Sequence, residues 1–178
     1  MYIKAGNTFG DVDLEFIRDF LEHLDIKFTE IGRKIKDSPD PDSYGLFDKG
    51  EYYIGVGFTI AQRYITSTYP QLNIGKKEAL KSGPEIRNNL TFVEALNAGA
   101  NFWKHQDEWG LDSLVSRNID ELSKQAQNTI RAIEIITPWA DYTCSNLLAE
   151  LVGENEFKLA SLLPPLEEWR NDLDQNFS

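Results

Sequence analysis

The feature that most constrains the fold is a regular stripe of apolar residues near the start of the chain. Its members recur in alternating steps of three and four, which places them on one face of a helix: Leu14, Ile17, Leu21, Leu24, Phe28, Ile31 and Ile35. Asp11 or Asp13 can cap the start of this helix. Pro39 and Pro41 end it, because each proline disfavours the α region in the residue before it. The stripe suits a helical bundle or a coiled-coil seam, and a bundle is favoured because the later segments also need a partner.

The next segment, DKGEYYIGVGFTIAQRYITSTYP, is apolar on nearly every side, which predicts a central buried helix. Alternating apolar residues also permit a strand there: Tyr52, Ile54, Val56 and Phe58. A helix is favoured, because the apolar character continues to Ile65. Three residues of this segment lack bulk: Gly55, Gly57 and Ala61. Each glycine costs a helix about 1 kcal/mol relative to alanine, so a close packing partner is expected to offset that cost.

The rest of the chain is expected to add helices and one long connection. Residues 71–89 are interpreted as a polar connection, since Gly75 and the Gly83-Pro84 pair interrupt them. Further helices are predicted at about 90–108, 119–136, 137–153 and 156–163, with Pro164-Pro165 breaking the last and only a turn or two beyond it. The sequence therefore predicts an all-α fold, with residues 1–178 forming a single domain of four to five main helices.

Composition indicates where in the cell the protein is expected to reside. No apolar stretch approaches the length that spans a bilayer, and the N-terminus lacks the apolar run of a signal peptide. The one cysteine, Cys144, excludes an internal disulfide and a cysteine-based zinc site. The sequence thus predicts a cytoplasmic protein that does not associate with membranes.

Charge is placed unevenly along the chain. The formal net charge is −11, and residues 90–178 hold 15 acidic against 6 basic side chains. An acidic surface disfavours non-specific binding of nucleic acid and suits a basic protein partner. One stretch is locally basic, with Lys76, Lys77, Lys81 and Arg87, and it is either a solvated loop or a contact for RNA.

The densest group of chemical side chains lies in NAGANFWKHQDEWG, residues 97–110. On a helix, five polar residues share one face, and this set is called the polar ladder: Glu94, Asn97, Asn101, His105 and Glu108. Small residues occupy a neighbouring face: Ala95, Ala98 and Gly99. The pattern predicts that this helix docks on the second helix, small face to small face, with Gln62 and Arg63 within reach of the polar ladder.

Two interpretations of the polar ladder remain open. In the catalytic one, His105 is the general acid or base, Glu108 or Asp107 orients its ring, and Asn101 positions a substrate oxygen. Substrate would also contact Asn97, and Lys104 or Arg63 would hold a phosphate. In the structural one, the two asparagines bond each other and Gln62, because buried amides must be satisfied. His105 then simply stabilises the end of its helix.

Other kinds of site find little support in the sequence. The chain has two histidines, His23 and His105, and they do not form a two-histidine metal motif. His23 is expected to be solvated, near Glu22 and Asp25. No G-x-S-x-G elbow and no glycine-rich phosphate loop occurs. No metal and no cofactor is predicted.

The stretch ANFWKHQDEW, preceded by the glycine-containing helix YIGVGFTIAQRYI, resembles a pattern in small bacterial proteins and, more loosely, the HEPN superfamily of helical-bundle ribonucleases. Those proteins belong to toxin–antitoxin and anti-phage defence systems. Their signature is an arginine, often followed by asparagine, with a histidine a few residues on. The resemblance implies metal-independent action on RNA, with His105 as the acid or base, Asn101 and Glu108 in support, and pairing into a homodimer.

The motif departs from that signature at one position. Aligned on Asn101 and His105, Ala100 stands where the superfamily has its arginine. Because that arginine stabilises phosphate charge, either Arg63 or Arg87 would have to replace it in space. The alternative function is a non-catalytic acidic protein, of the immunity or antitoxin kind, that binds a basic protein partner.

Overall fold

The protein is all-α, as the sequence predicts. The computed structural model describes residues 2–5, 8–110, 119–138, 142–153 and 157–177. These residues contain seven α-helices, which are α1 (Val12–Asp37), α2 (Leu46–Thr68), α3 (Lys76–Leu80), α4 (Phe92–Trp109), α5 (Lys124–Glu134), α6 (Thr143–Val152) and α7 (Leu163–Phe177). Two short antiparallel hairpins complete the described part: β1 (Tyr2–Ala5) with β2 (Thr8–Asp11), and β3 (Glu85–Arg87) with β4 (Leu90–Thr91). No helix in these ranges is long and apolar enough to cross a membrane.

The apolar stripe on α1 faces the interior of the bundle. Asp11 caps the helix, accepting a hydrogen bond from the Leu14 backbone N–H at 3.0 Å. The stripe packs against α2, against the 3-10 turn Leu159–Leu162 and against α7. Because the stripe is occupied inside the chain, the bundle interpretation is correct, and pairing of two chains would need another surface.

Small residues let α2 approach its neighbours closely. A methyl group built on Gly55 would overlap the indole of Trp103 in α4. One built on Gly57 would lie 2.6 Å from Leu159 Cδ2, and one on Gly99 would lie 2.6 Å from Leu147 Cδ2. These separations are far inside van der Waals contact. The close packing of α4 on α2 is therefore present, but each glycine accommodates a large side chain and not a small face: Gly55 meets Trp103 of α4, and Gly99 also meets Phe58 of α2.

Residues 71–89 are more structured than the sequence interpretation allows. They contain α3 and most of the β3–β4 hairpin. Asn88 and Asn89 form the turn of that hairpin with φ of 52° and 60°, the left-handed conformation that tight two-residue hairpins require and asparagine tolerates. The Asn-Asn pair was therefore a turn signal. It was not recognised, because the residues around it are also polar.

The second half of the chain differs from the prediction at three helix boundaries. Residues 119–121 form a 3-10 turn, and α5 begins only after Ser123, which caps it. The helix expected to restart at Thr137 begins at Thr143 instead, although it ends at Gly153 as predicted. The sequence prediction was also wrong at Pro164-Pro165, which lie in the first turn of α7. Proline is tolerated there, because the backbone N–H groups of a first helical turn have no partner within the helix.

Two carboxylates of the first helices cap elements far along the chain. Asp25 of α1 accepts hydrogen bonds from the backbone N–H groups of Leu159 and Ala160 at 2.7 and 3.0 Å. Glu51 of α2 accepts from Cys144 and Ser145, at 2.9 and 2.7 Å, at the start of α6. Free N–H groups at a helix start favour an acceptor and negative charge. The sequence placed Asp25 only near the solvated His23, but its carboxylate holds the start of the 3-10 turn at Leu159.

A buried ion pair joins α7 to the start of α1. Asp11 accepts from Arg170 Nη1 at 2.8 Å and from the Tyr64 hydroxyl at 2.5 Å. Arg170 and Asp11 expose only 3% and 7% of their side chains. Burial raises the pKa of Tyr64, and the carboxylate of Asp11 raises it further, so the phenol stays protonated and donates. The next residue along α7, Trp169, is fully buried and donates to the Ala79 carbonyl oxygen at 2.8 Å.

The close contact of α2 with α4 gives a stability prediction. Gly55→Ala is expected to lower the free energy of unfolding by about 1–3 kcal/mol, because its methyl group must displace the Trp103 ring. Urea unfolding followed by tryptophan fluorescence measures this loss. Gly50→Ala is the matched control on the same helix, since its methyl group would meet Phe28 Cε2 at an ordinary 3.5 Å. Equal stability of the two variants would contradict this account of the packing.

Candidate functional site

The polar ladder is carried by a well-defined helix. Thr91 caps α4, accepting from the Glu94 backbone N–H at 3.2 Å, and the Glu94 carboxylate accepts from the Thr91 N–H at 3.3 Å. Gly110 ends the helix with a φ of 62°, a conformation that costs glycine little. The helix predicted at about 90–108 is therefore confirmed as Phe92–Trp109, and it holds the ladder residues on one face.

An amide network joins α2 to the polar ladder. Gln62 Nε2 donates to Asn97 Oδ1 and to Asn101 Oδ1, both at 2.9 Å. Lys104 Nζ donates to Gln62 Oε1 at 2.7 Å. The structure therefore brings together Asn97, Asn101 and Lys104 around Gln62, the residue that the sequence placed within their reach.

Lys104 fixes the orientation of all three amides. An ammonium group only donates hydrogen bonds, so the Gln62 oxygen must face Lys104 and the Gln62 amino group must face the asparagines. Each asparagine then turns its oxygen toward Gln62. The Nδ2 amino groups of Asn97 and Asn101 remain, and within the described ranges they bond no other protein group.

The charge of Lys104 is held in an unfavourable setting. Partial burial lowers its pKa, and repulsion by the ammonium group of Lys76 lowers it further. In the part of the chain that the structure describes, no carboxylate forms an ion pair with either lysine. Two neighbouring lysines without acidic partners, Lys76 and Lys104, are unexpected in a chain with a net charge of −11. Their position beside the amides favours an anionic or oxygen-rich ligand.

Asn97 and Asn101 also line a groove between α4, α5 and α3. The groove has a volume of about 630 Å³. Lys76 contributes from α3, and Gln125, Asn128 and Thr129 contribute from α5. The sequence interpretation named Lys76 only as part of the basic stretch, and it missed the three residues of α5, because a single sequence does not say which face of α5 opposes α4. The only available signal was the run of polar residues at the start of α5.

His105 lies one turn beyond this groove, near the end of α4. Its Nδ1 lies 3.0 Å from Glu108 Oε2, and its ring stacks on Trp109 with centroids 5.8 Å apart. About a third of the His105 side chain is exposed. Bonding to the carboxylate places the Nδ1 proton toward Glu108 and leaves Nε2 to accept or deliver a proton. Of the two acids that the sequence offers as partners of His105, Asp107 and Glu108, it is the Glu108 carboxylate that bonds the ring.

Neither arginine proposed to replace the missing motif arginine contacts His105. Arg63 is exposed and lines a different groove of about 320 Å³ between α1 and α2, where Phe16 and Phe20 are its apolar neighbours. Arg87 donates to the Ile136 carbonyl oxygen and to Glu150, both at 3.1 Å. Ala100 is fully buried in the core. The cation nearest to the histidine along α4 is thus Lys104, and Arg63 is not joined to the polar ladder.

Comparisons with models of protein families, with curated proteins and with solved structures found no match. The function therefore has to be argued from the geometry of the site. Among the described residues, no group of three histidine, cysteine or acidic side chains is arranged to hold a metal ion.

The lysine pair gives a prediction for the site. Lys76→Ala is expected to raise the pKa of Lys104, because one of the two causes of its depression is removed while its burial remains. An NMR pH titration of the lysine side chains measures the change. Lys77→Ala removes a neighbouring exposed lysine and should leave Lys104 unaffected. If both variants shift Lys104 equally, the special role of Lys76 is disproved.

Proposed function

We propose that the chain is a HEPN-like protein of a bacterial defence or toxin–antitoxin system, and that it acts on RNA along the polar face of α4. The observation that carries this proposal is the pairing of His105 with Glu108 at 3.0 Å, one turn from the Lys104 amide network. A partly exposed histidine oriented by a carboxylate is the arrangement that general acid or base catalysis requires.

The proposed chemistry assigns each residue of this face a separate role. His105 Nε2 takes the proton of the hydroxyl group that attacks the phosphorus, and Glu108 stabilises the resulting imidazolium. The bond from phosphorus to the leaving oxygen breaks, and that oxygen takes a proton from water. Lys104 supplies positive charge for the phosphate oxygens. It takes the role of the superfamily's arginine, whose position is occupied here by Ala100. Asn101 and Asn97 donate hydrogen bonds to the substrate through their free amino groups. Lys104 carries one charge without the paired N–H geometry of arginine, so slow turnover is expected.

Substitution of the histidine tests the catalytic proposal. His105→Ala is expected to reduce cleavage of single-stranded RNA by about a hundredfold or more, the usual contribution of a positioned acid or base. The assay follows a labelled RNA in the presence of a metal chelator. His23→Ala is the matched control, because it removes the other histidine at an exposed position of α1. RNA cleavage that persists unchanged in His105→Ala would exclude this mechanism.

A second function, binding of a basic protein partner, is favoured by the position of the arginines. Arg63 lines another groove and Arg87 is bonded to Glu150, so neither stabilises charge at His105. The half of the chain from residue 90 on carries 15 acidic and 6 basic side chains. In this alternative, the protein is a non-catalytic immunity or antitoxin-like protein, and its acidic surface steers a cationic partner.

A pull-down from the native host distinguishes this second function. A basic partner is expected to bind at low salt and to be released as the ionic strength rises, because exposed charges are screened. Recovery of no basic protein, together with RNA cleavage that depends on His105, would exclude the alternative. Light scattering of the purified chain measures at the same time whether it forms the homodimer that the resemblance implies.

A further inference from the structure

The groove between α3, α4 and α5 has features that catalysis at His105 does not require. Its volume of about 630 Å³ lies within the range of small-molecule sites. It is lined by Asn97 and Asn101 but by neither His105 nor Glu108. Its chemistry can therefore be considered separately from that pair.

The polar wall of the groove offers hydrogen-bond donors. Because Lys104 turns Gln62, the Nδ2 groups of Asn97 and Asn101 are left without a protein partner in the described ranges. On the facing helix, the side-chain amides of Gln125 and Asn128 likewise have no partner among the described residues, and each supplies a donor and an acceptor. Such amides recognise groups that carry donors and acceptors side by side, as the edge of a nucleobase does.

The charged side chains that line the groove are one lysine, Lys76, and one carboxylate, Glu94. Glu94 lines it, but this carboxylate is bound by Lys81 Nζ at 2.8 Å and by the Thr91 N–H at 3.3 Å. Lys76 lines the groove with no acidic partner in the described chain, and Lys104 lies close enough to repel it. The ammonium group of Lys76, which has no acidic partner there, suits a phosphate group.

The lining of the groove also includes apolar side chains. They are Leu80 at the end of α3, Leu90 of β4, Ala98 of α4 and Ala132 of α5. A flat heterocycle packs on such side chains through its face, while amides beside it remain available to its edge. The groove thus combines apolar side chains, amides and a lysine.

We propose that this groove binds a nucleoside monophosphate, with the base against the apolar side chains and the phosphate at Lys76. The amino groups of Asn97 and Asn101 donate to the acceptors of the ligand. This proposal does not rest on the proposed ribonuclease activity, since His105 takes no part in it. A bound nucleotide would regulate the protein, be its substrate, or be the product of a nuclease reaction.

Calorimetric titration of the full chain tests the site directly. Adenosine, guanosine, cytidine and uridine monophosphates are the probes, with adenosine and inorganic phosphate as the separated halves of the ligand. At least one monophosphate is expected to bind, and at least tenfold more tightly than its nucleoside. Failure of all four monophosphates to bind at millimolar concentration would overturn the proposal. If adenosine monophosphate binds most tightly of the four, an equal affinity for adenosine would also overturn the proposal, because the phosphate would then contribute nothing.

Two variants locate the binding in the groove. Lys76→Ala is expected to weaken binding about tenfold, the effect of one lost charge-assisted hydrogen bond. Asn101→Asp keeps an oxygen toward Gln62 but replaces the free amino group with an anionic acceptor, so it should weaken binding at least as strongly. Circular dichroism and thermal unfolding verify that both variants are folded.

Matched controls separate the groove from general electrostatics. Lys77→Ala removes the adjacent lysine, which does not line the groove, and Asn176→Asp makes the same charge change at an exposed position on α7. Both controls should bind as the unmodified chain does. If they weaken binding as much as the test variants, the groove is not the site.

A single-stranded RNA oligonucleotide distinguishes this proposal from the ribonuclease proposal. RNA that is bound or cleaved while no monophosphate binds would overturn the nucleotide site and leave the proposed function standing. If the chain does not cleave RNA but binds a monophosphate, and the His105→Ala variant still binds it, the nucleotide site stands and the ribonuclease proposal fails. The two proposals therefore fail in different experiments.

Discussion

The structure depends on the close approach of α2 to α4. Gly55 of α2 leaves space that Trp103 of α4 fills, and Gly99 of α4 leaves space for Phe58 of α2. Each glycine lowers the helix propensity of its own segment, so the contacts it permits must offset that cost. The same approach brings Gln62 onto the polar ladder, where it reaches two asparagines at once. The packing contact and the candidate site are thus consequences of one helix pair.

Periodicity predicted the long helices well, and the short or irregular elements poorly. The stripe on α1, the buried character of α2 and the polar face of α4 are local patterns that tertiary contacts reinforce. The fold has more helices than the four or five expected. Pro164-Pro165 were interpreted as a break, whereas proline also begins helices, so α7 and its buried Trp169 were overlooked. That choice depends on what the following residues pack against, which local sequence does not contain.

The candidate site was predicted only as far as one helix could specify it. Spacing along α4 placed Asn97, Asn101, His105 and Glu108 on one face, and the helix geometry alone brings His105 to Glu108. The orientation of the amides depends on Lys104 and Gln62 together, and the opposite wall of the groove comes from α5. The sequence also placed Arg63 within reach of the polar ladder, and this was wrong. Adjacent residues of a helix point in directions about 100° apart. Gln62 and Arg63 therefore could not both face α4.

The pairing of Asp11 with Arg170 determines how the last helix can open. Trp169 and Arg170 are consecutive, and both are buried against partners near the other end of the chain or in α3. Fraying of α7 would separate the ion pair and expose the indole in a single step. The amide hydrogens at the centre of α7 are therefore expected to exchange with solvent only when the whole bundle unfolds. Although it is the last element of the chain, α7 then belongs to the same cooperative unit as α1 and α2.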